Sequence, residues 1–120
     1  PPVFEFKMPR HNLTATAILK GGEMIVQAGS AARYEWVGEP RHATNYSHLY
    51  SELVAGGVLA LNGDCRTFTQ DYAFTSPSAA AAVVSGRSAN GRTSWVLKST
   101  GQTYADWEEA QVVATESSLL

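Results

Sequence analysis

Arg87, Ser88, Asn90, Arg92, Trp95 and Lys98 fall within twelve consecutive positions of the chain. Guanidinium, amide, hydroxyl and ammonium groups are the donors that phosphate oxygens and base edges accept hydrogen bonds from. Read as a strand, Arg92 to Lys98 puts Arg92, Ser94, Val96 and Lys98 on one face and Thr93, Trp95 and Leu97 on the other. Arg33, far upstream, is a further basic candidate for the same ligand. A second account needs no ligand. Trp95 and Leu97 fill a core, Asn90-Gly91 makes a turn, and the charges keep the outer face in water. The sequence leaves both accounts standing.

Other chemistry has little footing. His11, His42 and His48 are scattered with no His-x-x-x-His spacing, and Cys65 is the sole cysteine, so no metal site and no cofactor are expected. Ser30 follows Gly29 without a Gly-x-Ser-x-Gly motif and is accounted for as a helix cap. Arg66 beside Cys65 could favour a thiolate, but no histidine can be placed near it, and a bystander thiol is the reading. Gly56-Gly57 and Gly86 to Gly91 follow apolar helical runs, whereas phosphate cradles precede helices. Glu108-Glu109 reads as a solvated face. No catalytic constellation can be assembled, and the chain is expected to be a non-enzyme.

The totals agree with a small binding domain. A chain of 120 residues, 44% apolar and 17% charged, is long and apolar enough for one packed core. The formal net charge of -2 conceals an uneven distribution. Arg66, Arg87, Arg92 and Lys98 face one acid, Asp71, whereas Asp106, Glu108, Glu109 and Glu116 close the chain with no base among them. A lone cysteine fits a reducing compartment, and no apolar run reaches a membrane span, so a soluble cytoplasmic protein is expected. The Pro1-Pro2 start, without Met, is compatible with a fragment of something longer.

The elements that would position these residues are short. Val3 to Met8, stopped by Pro9, reads as an edge strand. Leu13–Leu19 and Glu23–Val26 flank Gly21-Gly22 as a hairpin. Ser30 is expected to cap a helix to Trp36, and Arg41 to Thr44 to connect onward. Tyr46, Leu49, Tyr50, Leu53 and Val54 form one helical stripe ending at Gly56-Gly57. A second hairpin turns at Asn62-Gly63. Ser76 caps a helix with Pro77 in its first turn, running to Ser85 and ending at Gly86. Gly29-Ser30-Ala31-Ala32 and Ser76-Pro77-Ser78-Ala79-Ala80 share one grammar, read here as two separate uses of a serine cap. The expected fold is α+β: a small, mainly antiparallel sheet built from hairpins, packed with one amphipathic helix and one short Ala-rich helix. It occupies 1–113 as a single domain, and 114–120 is expected to fray.

The stretch from Phe68 to Trp95, with Ser76-Pro77-Ser78-Ala79-Ala80 and Asn90-Gly91-x-x-x-Trp95 at its centre, resembles an uncharacterised bacterial domain found C-terminal to GIY-YIG nuclease modules and in related stand-alone proteins. Val26 to Arg33 and Leu53 to Leu59 are similar to the same family, which extends the resemblance over 13–107. The two central pieces are also similar to a domain associated with restriction enzymes and adenine methylases. The nuclease core itself is absent, so the resemblance implies an accessory role in DNA-related work and no catalysis. On that reading Arg33, Arg87, Ser88, Asn90, Arg92 and Lys98 contact DNA, beside a fused or associated nuclease or restriction protein. The alternative is a protein-interaction domain, self-associating as a homodimer through Trp36, Trp107 and the tyrosines.

Overall fold

The computed structural model describes residues 1–39 and 44–118. Its elements, in chain order, are β1 (Val3–Met8), a 3-10 turn (Pro9–His11), β2 (Leu13–Lys20), β3 (Glu23–Val26), β4 (Ala31–Arg33), α1 (Thr44–Ala55), β5 (Leu59–Asn62), β6 (Cys65–Phe68), β7 (Tyr72–Phe74), α2 (Pro77–Ser85), α3 (Gly91–Ser94), β8 (Val96–Leu97) and α4 (Tyr104–Ser118). Two antiparallel sheets result, one ordered β7-β3-β2-β1-β8 and the other β4-β6-β5. The fold is α+β, as the hairpins and helical stripe imply.

Alternation dictates what the larger sheet buries. Phe4, Phe6, Ala15, Ala17, Met24 and Val26 all point to one face and are buried. Against that face lies α2, in which every residue from Ala79 to Ser85 is buried. A helix surrounded on all sides can have no bulky polar side chains, and small ones let its neighbours come close. Its ends follow the sequence closely: the Ser76 hydroxyl accepts from the Ala79 N–H at 3.0 Å, and Gly86 takes the left-handed φ of 67° that stops the helix. The Gly21-Gly22 hairpin forms with both glycines at positive φ, and α1 ends at Gly56-Gly57.

Four expectations change. Val3–Met8 is a strand, but β8 covers it at Phe4 and Glu5, so it lies inside the sheet and is not an edge. Asn62 pairs with Cys65, which moves the second hairpin's two-residue loop to Gly63-Asp64. Ser30 caps no helix. Its hydroxyl accepts from the Thr16 N–H (3.0 Å) and donates to the Thr16 carbonyl (3.2 Å), while its own carbonyl accepts from Phe68 N–H. Ser30 thereby ties the two sheets together, and the chain leaves it as β4. Arg92 to Lys98 is not one strand: Asn90 Oδ1 accepts from the Arg92 N–H at 3.0 Å and starts α3, leaving β8 only two residues long. The shared face expected of Arg92, Ser94, Val96 and Lys98 therefore does not exist. A helix that the sequence did not announce, α4, begins at Tyr104, with the Thr103 hydroxyl accepting from Asp106 N–H at 3.2 Å. The linker expected from Arg41, and His42 within it, lie outside the described residues.

One contact decides the path through α3. A Cβ on Gly91 would stand 2.1 Å from the Pro77 carbonyl carbon, so only glycine lets α3 rest on the start of α2. The Gly91 N–H donates to Ser78 Oγ (3.1 Å), and the wholly buried Trp95 donates its indole N–H to Pro77 O (3.0 Å). Ser78 and Trp95 satisfy buried polar groups that the junction would otherwise strand.

Candidate functional site

Three separate segments bring cations to one hollow. The first is the turn joining β1 and β2, where Pro9 ends the strand and Asn12, at φ 53°, returns the chain by donating its N–H to Pro9 O. That turn carries Arg10 and His11. The second is the end of β4, which carries Arg33. The third is the segment after α2, which carries Arg87, Ser88 and Asn90. Together with Phe6, Met8 and Ala89 these side chains line a pocket of about 510 Å³. No carboxylate is among the lining residues.

The backbone around the pocket is held firmly. Gly86 O accepts from Val37 N–H (2.7 Å) and Gly38 N–H (3.1 Å), which fixes the exit of α2 to the chain beyond β4. A Cβ on Gly86 would meet Glu35 O at 2.7 Å and Arg33 Cβ at 3.0 Å, so the two segments touch where Arg33 and Arg87 emerge. The Tyr50 hydroxyl of α1 donates to Arg33 O at 2.6 Å, and burial pushes its pKa up, which keeps that donor protonated. Arg66 Nε donates to Tyr34 O at 2.8 Å with its guanidinium over the Tyr34 ring. Arg66 is thus structural.

Within the pocket the polar groups are mostly donors. Arg33 Nη1 lies 2.9 Å from His11 Nε2. A guanidinium can only donate, so the imidazole accepts at Nε2 and carries its hydrogen on Nδ1. Asn90 Oδ1 is committed to the Arg92 N–H, which leaves the Asn90 NH₂ for a ligand. Carboxylates stand just outside: an adjoining hollow shares Arg10, His11 and Arg33 but adds Glu35 and Asp64, and another shares Arg87 and Ser88 but adds Glu39.

Of the binding candidates singled out in the sequence, Arg33, Arg87, Ser88 and Asn90 meet at this pocket, and Arg92 and Lys98 do not. Arg92 pairs with Glu108 on α4, whose hydrogen bond and charge raise the Arg92 pKa further, and it lies 6.0 Å from the Tyr104 ring centroid. The Lys98 N–H donates to Val3 O, and its side chain lines a hollow with Pro1 and Pro2. Lys98 therefore sits at the start of β1 while the pocket sits at its end, roughly 16 Å away at the usual rise of a strand. Arg10 and His11 were missed in the sequence. Their signal was the Pro9 to Asn12 interval, a short turn between two strand-like runs.

The remaining candidates take other places. Cys65 donates its thiol to Asn62 O at 3.3 Å. Trp107, partly buried, packs on Phe4 and Tyr104, and Trp36, partly buried, packs on Tyr50. Among the described residues, no cluster of three His, Cys, Asp or Glu side chains is placed to hold a metal ion, and no helix is long and apolar enough to cross a membrane.

The fold and pocket define a small α+β domain that presents a donor-rich cationic hollow between a β-turn, a sheet edge and the exit of a buried helix. The chain belongs to the family described as a domain of unknown function, DUF4357, whose model matches residues 4–108. The match begins upstream of the resemblance noted in the sequence and takes in β1 and the turn bearing Arg10 and His11. Neither a curated protein nor a solved structure matches the chain.

Proposed function

We propose that this domain is a non-catalytic nucleic-acid-binding module that holds phosphate at Arg10, Arg33 and Arg87. The observation that carries this reading is the meeting of three guanidiniums, from three elements distant in sequence, in a pocket lined by no carboxylate. Guanidinium is planar, always charged and able to offer two parallel N–H groups to phosphate, and it sheds water more readily than ammonium. Three such groups repel one another, and a polyanion relieves that repulsion. The resemblance to nuclease-associated domains makes DNA the preferred polymer and an accessory role beside a nuclease or restriction protein its setting.

Fluorescence anisotropy with labelled DNA at about 50 mM salt tests this, since phosphate contacts are strongest there. Binding that weakens in Arg10→Ala and Arg87→Ala but not in Lys98→Ala supports the reading. Absence of binding at low salt overturns it.

A second reading, self-association, draws on α4. From Glu109 to Ser118 its residues are exposed, Val112 and Val113 by more than half. Light scattering on the intact chain and on Val112→Glu/Val113→Glu decides it: a dimer lost in the double variant supports assembly through α4, and a monomer throughout removes it.

A further inference from the structure

We infer that the pocket seats one unstacked nucleotide, with its phosphate on the arginines and its base on the apolar floor, and does not follow the backbone of a duplex. This rests on the nucleic-acid reading above.

The first ground is where the cations stop. A surface that tracks a backbone carries positive charge for several phosphate spacings. Here the hollow beyond Arg10 and Arg33 holds Glu35 and Asp64, and the one beyond Arg87 holds Glu39. A strand continuing in either direction would place its next phosphates against carboxylates. The favourable field is confined to the central pocket, which suits one or two phosphates.

The second ground is the shape and lining. A volume of about 510 Å³ lies within the roughly 300–1,000 Å³ of pockets that enclose small organic ligands, well beyond what a bare phosphate fills. Phe6 and Met8 from β1, with Ala89, supply an apolar floor. The Phe6 ring is braced edge-on by the wholly buried Trp95 at 5.6 Å. A base removed from its stack needs such a surface. The Asn90 NH₂ on the rim is a fixed donor, suited to a ring nitrogen or carbonyl of that base.

The test uses anisotropy with three labelled DNA probes of equal length: a single strand, a duplex with one extrahelical base, and a fully paired duplex. Tenfold or tighter binding of the first two, with log Kd changing by only about 1–2 per decade of salt, is expected from the few phosphates held. Asn90→Asp is the decisive variant. Aspartate caps α3 as well as asparagine does, so the melting temperature stays, while the lost NH₂ and added charge weaken the single strand at least tenfold. Unlabelled dGMP should displace the probe at concentrations at least tenfold below those at which inorganic phosphate does. Equal or tighter binding of the paired duplex, a slope above about 4, an unaffected Asn90→Asp, or equal competition by phosphate and dGMP each overturns the inference while nucleic-acid binding stands. No binding of any probe overturns both.

Discussion

The chain from Ser76 to Trp95 builds two regions that differ in nearly every physical respect. Along the seam between α2 and α3 there is no spare volume: Gly91 lies against the Pro77–Ser78 backbone and donates its N–H to Ser78 Oγ, while Trp95 donates its indole N–H to Pro77 O. Along the pocket wall Arg87, Ser88 and Asn90 are exposed and face open space of about 510 Å³. The seam is made of small or apolar residues whose identities are set by contact. The wall is made of long or polar residues at the surface. Asn90 belongs to both, capping α3 with its oxygen and lining the pocket. Folding and binding are therefore separable here by substitution.

The harshest way to break that comparison is Gly91→Ala. The new Cβ would overlap backbone atoms that cannot rotate away, so α3 must lift from α2. A loss of at least about 2–3 kcal/mol is expected, in the range of overpacked cores. For a domain of this size that is a fall of roughly 10 °C in melting temperature, read by circular dichroism. A melting temperature within two or three degrees of the parent, by that same conversion, would show that the seam is not closed as described.

The pocket wall should answer in the opposite way. Arg10→Ala and Arg87→Ala are each expected to weaken DNA binding about tenfold, or about 1.4 kcal/mol, with melting temperatures unchanged. Each should also flatten the salt dependence, because one fewer counterion is released. A stability loss comparable to that of Gly91→Ala would make these arginines part of the fold and remove the distinction.

Ser76→Ala sharpens the seam side with a smaller effect. Its hydroxyl satisfies one free N–H at the start of a buried helix, and losing it should cost about 1 kcal/mol in urea unfolding. DNA affinity, measured where both proteins are folded, should not move.

How much of this was legible depends on whether the signal was local. The boundaries of α2 follow from Ser76, Pro77 and Gly86, because a cap, a proline in the first turn and a left-handed stop act on adjacent backbone. The Gly21-Gly22 hairpin and the apolar stripe of α1 are legible for the same reason. The same grammar at Gly29-Ser30-Ala31-Ala32 misleads, since the Ser30 hydroxyl is taken by Thr16 across the sheet. Arg92 to Lys98 misleads too: its alternation is genuine, but Gly91 packing on Pro77 and the Asn90 cap turn its first half into α3. Beyond Trp107 most of α4 is exposed, so it has no apolar stripe to read, and only Thr103 with Asp106 marks its start. The pocket was half legible. Arg33 and Arg87 stand out as basic residues, and the Pro9 to Asn12 turn has a local signal, whereas the meeting of that turn with β4 and the exit of α2, which joins Arg10 and His11 to them, is a long-range fact.

Arg92→Gln is expected to have the smallest effect, and it tests the pocket's edge. Arg92 follows Asn90 closely in sequence, and the linear pattern ranks it with Arg87 as a ligand contact. In the fold its guanidinium pairs with Glu108 at the half-exposed surface, an arrangement that contributes little to stability because water and salt screen it. Neither the melting temperature nor DNA affinity should change beyond error, and glutamine keeps a polar side chain with the first two methylenes of arginine. If Arg92→Gln weakened binding as much as Arg87→Ala, the ligand would have to reach across α3 toward α4, displacing Glu108 from its partner. The footprint would then exceed one nucleotide, and the division of this segment into a folding seam and a binding wall would fail at α3.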